Sequence, residues 1–191
     1  MEPLITHIGQ QLSLSAQEAK TIMAHFTRKE IPKKTFLLKE GAHCNELFFV
    51  EKGCLRLFFI DDKGREQITH FAIENWWLTD YLAFDSEGIA VYHIQTVEDS
   101  VVLQIDRKKL EALTGAVPLM DRYFRLNLQR AFGAAQRRIM MMYEKSKEAY
   151  FFEFVEKHPA FVQRVPQYML ASFLGFTPEY LSELRKRYKQ S

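Results

Sequence analysis

Cysteine is scarce. Cys44 and Cys54 are the two in 191 residues, too few for a disulfide framework or a four-thiolate metal site, so both read as reduced thiols. No window approaches about 18 uncharged apolar residues, which excludes a membrane-spanning helix. The opening MEPLITHIGQQLSLSAQEAK lacks the basic flank and apolar run of a secretory signal, and the expected location is the cytoplasm. No His-x-His pair opens a cupin-type metal site, and no nucleophile, base and orienting group stand at a useful spacing. An enzyme is therefore not expected, and neither a metal nor another cofactor is. Internal repeats and low-complexity linkers are missing too.

Positive charge is absent from one long stretch. Residues 66–106 hold eight acids and no Lys or Arg, a net charge of −8, whereas residues 107–191 hold sixteen bases against eight acids, a net charge of +8. The overall +2 hides this division, which points the C-terminal part toward a polyanion. Sixteen Phe, eight Tyr and two Trp imply a core built largely from rings.

Ser15 reads as the N-cap of a short amphipathic helix carrying Ala16, Ala19, Ile22, Met23 and Phe26. From Lys29 to about Asp106 the pattern becomes short apolar runs closed by turn residues, with Gly41, Gly53 and Gly64 spaced almost evenly, as in a sandwich or barrel. Both alternating faces of Leu55 to Ile60 are largely apolar, which suits a strand covered on two sides. RKKLEALTG is a helix expected to end at Gly115. Pro118 then opens a long helix to about Tyr143, whose stripe Met120, Phe124, Leu128, Ala131, Ala135, Ile139, Met142 keeps a helical period throughout. A helix of that length overhangs a small sandwich, and Gly133, Ala134 and Ala135 would let another helix approach; homodimerisation through Phe124, Leu128, Ala131, Ala135 and Ile139 is expected. Another helix is expected from Ser146 to about Lys157, and AFVQRV is read as a connector.

The strongest motif is QYMLASFLGFTPEYLSELRKRY, residues 167–188. Two short helices crossing steeply need a small residue at the contact, supplied by Ala171, a turn glycine, supplied by Gly175, and a shared apolar core, supplied by Leu170, Leu174, Phe176, Leu181 and Leu184. Thr177 caps the second helix with Pro178 at its first position. With Leu181, Leu184 and Tyr188 facing inward, Glu179, Ser182, Glu183 and Lys186 form an outer face flanked by Arg185, Arg187 and Lys189, a groove-reading surface with cations for phosphates.

Strand runs with this glycine pattern, FLLKEGAHCNELFFVEKGCLRLFFIDDKGREQI, then a long helix and a helix-turn-helix, resemble the Crp/Fnr family of bacterial transcription regulators. The resemblance implies an α+β protein: residues 1–115 a double-stranded β-helix (jelly roll) of the cyclic-nucleotide-binding kind, 116–144 a dimerisation helix, and 145–191 a DNA-binding domain. It implies a homodimer on double-stranded DNA, an unidentified small-molecule effector, and RNA polymerase as a partner if the protein is an activator. No membrane partner is implied.

Departures from the family pattern matter. Members that bind cyclic AMP use a Gly-Glu pair for the ribose and an Arg beside a hydroxyl residue for the phosphate. Thr79-Asp80 stands at the former here, and Ile89 or Ala90 where the Arg belongs. The adenine-contacting hydroxyl pair falls at about Phe132-Gly133 and is missing as well. Trp77, Thr79, Asp80, Ile89, Ala90 and Phe132 are thus the positions an effector would meet, and binding of cyclic AMP or cyclic GMP is not expected. Trp76, Trp77 and Ile139 to Met142 read as core packing. The cysteines do not match the four of an iron–sulfur member, and His7, His25, His43, His70, His93 and His158 read as surface or structural histidines rather than haem ligands. The 191 residues include no β-hairpin wing after the second helix, so dimeric binding is expected to matter more. A competing expectation is a ligand- or protein-binding sensor whose helix-turn-helix is weak or vestigial.

Overall fold

The evenly spaced apolar runs form two four-stranded antiparallel sheets in the computed structural model, which describes residues 2–188 and 190. One sheet has the order β1 (Thr27–Ile31), β8 (Ser100–Asp106), β3 (Glu46–Lys52), β6 (Trp77–Leu78); the other has β2 (Phe36–Leu38), β7 (His93–Thr96), β4 (Leu55–Ile60), β5 (Glu66–Ala72). Together they make a jelly-roll core. Because side chains alternate along a pleated strand, Phe48 and Val50 of β3 enter the space between the sheets with Leu55, Leu57, Ile94 and Val102.

Leu47 and Phe49, on the other face of β3, point outward and are still buried. Helices α1 (Glu2–Gly9), α2 (Ala16–His25), α4 (Arg107–Ala116) and the start of α5 (Leu119–Glu144) cover them. The second sheet is covered likewise: Cys54 and Phe58 join a cluster with α6 (Lys147–Lys157), α7 (Pro159–Arg164), α8 (Gln167–Leu174) and α9 (Pro178–Tyr188). Two-sided cover explains the unbroken burial of Leu55 to Phe58; Phe59 and Ile60, past its edge, are exposed.

Local chemistry sets several boundaries. Ser15 and Glu18 form a reciprocal capping box at the start of α2. Gly53 takes φ +104°, and a Cβ there would stand 2.3 Å from the Ser100 hydroxyl, so the turn between β3 and β4 admits only glycine.

Other boundaries correct the sequence reading. Gly115 does not end α4, which continues to Ala116 and stops where the Val117 N–H bonds to the Leu113 carbonyl; Gly115 is not among the left-handed glycines. AFVQRV is no connector, since α7, opened by Pro159 just before it, takes in its residues up to Arg164. β1 and α1 went unread. Four of five β1 residues are exposed and polar, leaving no alternation, and α1 buries only Leu4 and Ile8. Trp77 does pack, against Phe49 and Phe124, but Trp76 is 49% exposed, because neighbouring residues of an extended chain point opposite ways. Ile139, Met140 and Met142 are exposed as well, and only Met141 turns toward the C-terminal core.

Candidate functional site

The C-terminal hairpin is built around Gly175. α8 ends there with φ +75°, a left-handed C-cap that a side-chain-bearing residue rarely adopts, and its N–H returns to the Ser172 carbonyl while Phe176 N–H bonds to Ala171 O. The Thr177 hydroxyl then accepts from Tyr180 N–H at 3.2 Å, capping α9 one residue ahead of Pro178. Ala171, Leu174, Leu181 and Leu184 are buried between the helices. Tyr188 packs edge-on against Phe152 at 5.2 Å.

The opposite face of α9 looks into solvent. Thr177, Pro178, Glu179, Glu183, Lys186 and Arg187 are exposed, and Ser182 and Arg185 are half-buried. Arg187 is ion-paired with Glu183 one turn earlier and stands 3.5 Å from Glu148 of α6. The two carboxylates raise its affinity for its proton further, Glu183 most. Lys189, expected on the same flank, lies outside the described residues.

The hairpin is fastened to the roll by groups that sequence reasoning missed. β5 is an edge strand with backbone groups free on one side. The Ser172 hydroxyl of α8 meets them, accepting from Ile68 N–H at 2.9 Å and donating to Glu66 O at 2.8 Å. Arg138 of α5 donates to Thr69 O at 2.5 Å and to Phe173 O at 2.8 Å, its guanidinium 4.0 Å from the Phe173 ring centre. Arg164, closing α7, grips Glu74 through both nitrogens at 2.8 and 2.9 Å, Glu98 at 2.5 Å and the Gly53 carbonyl at 3.0 Å. Burial disfavours the Glu74 carboxylate, but Arg164 and the Gly53 N–H outweigh it and hold its pKa below the usual range.

The acidic stretch is thus largely used inside the molecule. Glu74 and Glu98 hold Arg164, Glu66 pairs with the buried Arg56, Asp99 accepts from Lys33 N–H, and Asp106 caps α4.

The six effector positions are not brought together around one cavity. Asp80 is buried and caps the short helix α3 (Tyr81–Asp85), accepting from Ala83 N–H at 3.3 Å and from Val91 N–H at 3.0 Å. Thr79 donates to Glu46 O at 2.8 Å and contacts the Cys44 sulfur. Ala90 is packed among Cys44, Leu78 and Ala83, with its backbone bonded to Gly41 and Ala42. Ile89 and Phe132 face solvent, and Trp77 lies on the outer face of the roll. On α5, Leu128, Ala131 and Ile139 are exposed, Phe124 and Ala135 partly covered. Among the described residues no helix is long and apolar enough to cross a membrane, and no three potential ligands gather to hold a metal.

Residues 28–116 match the family model of the cyclic nucleotide-binding domain. The fumarate and nitrate reduction regulatory protein of Escherichia coli K12 is 25% identical over 177 residues, covering 86% of this chain and 69% of that protein. Its counterpart from Klebsiella oxytoca matches to the same extent. In three dimensions FixK2 from Bradyrhizobium japonicum superposes with a TM-score of 0.74 at 16% identity, covering 86% of this chain and 85% of FixK2. A protein from Eubacterium rectale assigned to the Crp/Fnr regulators superposes with a TM-score of 0.70 at 16% identity, over 92% of this chain and 84% of that one. In sequence and in fold the chain is similar to regulators of the Crp/Fnr family. Those relatives are transcription regulators rather than enzymes, and the exposed α9 is the element of this chain whose chemistry suits a nucleic acid.

Proposed function

We propose that this protein is a homodimeric, sequence-specific DNA-binding transcription regulator of the cytoplasm that does not answer to cyclic AMP. The observation carrying the proposal is the α8–α9 hairpin, folded on a left-handed Gly175 with the polar face of α9 in solvent. Glu179, Ser182 and Glu183 would meet base edges, where a carboxylate can accept from cytosine, and Arg185, Lys186 and Arg187 would meet phosphates beside the Thr177-Pro178 helix start. Residues 1–115 would sense, 116–144 pair two copies through the exposed stripe of α5, and 145–191 bind DNA, with RNA polymerase a further partner in activation.

The proposal about cyclic AMP rests on packing. Ala90 is 1% exposed where the phosphate-binding Arg belongs, and the neighbouring Asp80 carboxylate already accepts two backbone N–H groups. An anion brought there would meet a carboxylate and no cation from the segment. A calorimetric titration should detect no binding; a micromolar constant would refute this part.

Selection from random duplexes followed by gel shifts tests the main reading. Affinity should fall steeply with salt, replacing Arg185, Lys186 and Arg187 by alanine should weaken binding across all sequences, and Ser182→Ala should change which sequences win. Binding indifferent to salt, or no selected sequence, would defeat it. The second reading, a ligand- or protein-binding sensor with a weak or vestigial DNA-binding domain, draws support from Arg187, a cation already engaged by Glu183 and Glu148.

A further inference from the structure

A cleft of about 610 Å³ lies on the outer face of the roll, between β6, α3, α4 and α5. It is separate from the exposed face of α9 and from the packed roll interior around Ala90. Its size is that of a small-molecule site. Aromatic walls dominate: Trp77 stands edge-on to Phe124 at 5.0 Å, and Trp76 and Tyr81 contribute rings that are 49% and 41% exposed. The polar edge of Trp77 is already used, because its Nε1–H donates to Tyr123 Oη at 3.0 Å.

Two arginines line the cleft, and they differ. Arg107 is consumed by the Phe84 and Asp85 carbonyls and by Glu111. Arg130 is exposed and has no hydrogen-bond or ion-pair partner among the described residues. Its positive field reaches His7 and Tyr123, where, after burial, it is the second cause lowering the proton affinity of His7. Three carboxylates also line the cleft: Glu111 is engaged by Arg107, Asp85 lies in α3, and Asp121 stands nine residues before Arg130 on the same helix, roughly 13 Å away along the axis.

We propose that this cleft binds a flat, largely apolar aromatic molecule carrying one anionic group, its rings between Trp76, Trp77 and Phe124 and its anion on Arg130. Stacking and burial would supply affinity, and the guanidinium would select for charge. Leu128 and Ala131 rim the cleft and also belong to the exposed stripe of α5, so the inference requires that two copies paired there leave the Trp76, Trp77 and Arg130 walls open, and a second copy covering those walls is the rival occupant.

Both tryptophans of the chain line the cleft, which makes intrinsic fluorescence a local reporter. Anilinonaphthalene sulfonate and its uncharged phenylnaphthylamine counterpart are titrated into the full chain. Expected are saturable binding of one probe per chain with quenching of tryptophan emission, and a preference of about tenfold for the sulfonate. Arg130→Gln, an exposed substitution checked for folding by circular dichroism, should abolish that preference while leaving the neutral probe's affinity unchanged. Unsaturable binding without quenching, equal affinity of the two probes, a preference that survives Arg130→Gln, or affinity that falls as protein concentration rises would each overturn the assignment. No readout involves DNA, so failure here leaves the regulator reading untouched.

Discussion

The two halves of α5 carry the same sequence pattern and meet opposite fates. Met120 and Tyr123, in the first half, are 0% exposed against the outer face of the roll, whereas Phe132 and Ile139, in the second, are 66% and 56% exposed. Apolar periodicity therefore reports that a stripe exists and says nothing about what covers it. The roll finishes the first half. The C-terminal helices meet the second half at Arg138, at Met141 and at the Met142 methyl beside Gly175, and leave Phe132, Ile139 and Met140 exposed.

One substitution placed in each half should break this comparison into two readouts. Met120→Asp buries a carboxylate with no partner and should cost about 4 kcal/mol, seen as a lower denaturant midpoint. Ile139→Asp should leave the midpoint of the chain within about 0.5 kcal/mol in a monomeric reference, while sedimentation shows the dimer lost at micromolar concentration. A wild-type chain already monomeric at that concentration would remove the second copy as the cover of the stripe.

The legibility of the rest follows the same division between pattern and cover. The hairpin was readable because its demands are local: Ala171 at the crossing, Gly175 at φ +75°, Thr177 capping the next helix. Six of the eight strands fall in the apolar runs; β1, an exposed edge without alternation, and β6, only two residues long, do not. The fastening of the hairpin to the roll left no trace in the sequence. Arg164 is one base in an unremarkable stretch, and its partners Glu74 and Glu98 stand 90 and 66 residues away. The acidic run was visible as charge, but its use in caps and ion pairs depended on which backbone N–H groups folding brought near.

Two polar fastenings, one at the start of α5 and one on α8, sharpen the contrast at a smaller scale. Tyr123→Phe removes the hydroxyl that accepts from Trp77 and stands 2.7 Å from His7 Nδ1, and leaves two half-buried ring nitrogens unsatisfied. The expected loss is about 2 kcal/mol of global stability. Ser172→Ala removes two bonds to the edge of β5, and about 1 kcal/mol is expected. That loss should appear mainly as faster proteolysis within residues 145–188 than within the roll, because the roll keeps its own cores. Equal sensitivity of both regions would mean that they unfold as one unit.

The smallest effect concerns pH, and it falls on the covered half of α5. His7 is held neutral: burial, then the charge of Arg130, lowers its pKa from the ordinary 6.5. Its Nδ1 is hydrogen-bonded to the Tyr123 hydroxyl at 2.7 Å, and that hydroxyl accepts from Trp77 Nε1–H. A proton added to the ring would leave an imidazolium half-buried and beside the Arg130 charge. The unfolded chain therefore takes up this proton first, so the stabilisation is complete above pH 6.5 and is lost as the pH falls through that value toward the folded pKa. Urea midpoints measured between pH 7.5 and 5.5 should decline, and His7→Gln, which cannot titrate, should reduce the slope to the part that His70 and His158, whose pKa values burial also lowers, contribute. A slope unchanged by that substitution would place the proton uptake elsewhere, and the network at the start of α5 would then be a fixed strut rather than a titrating one.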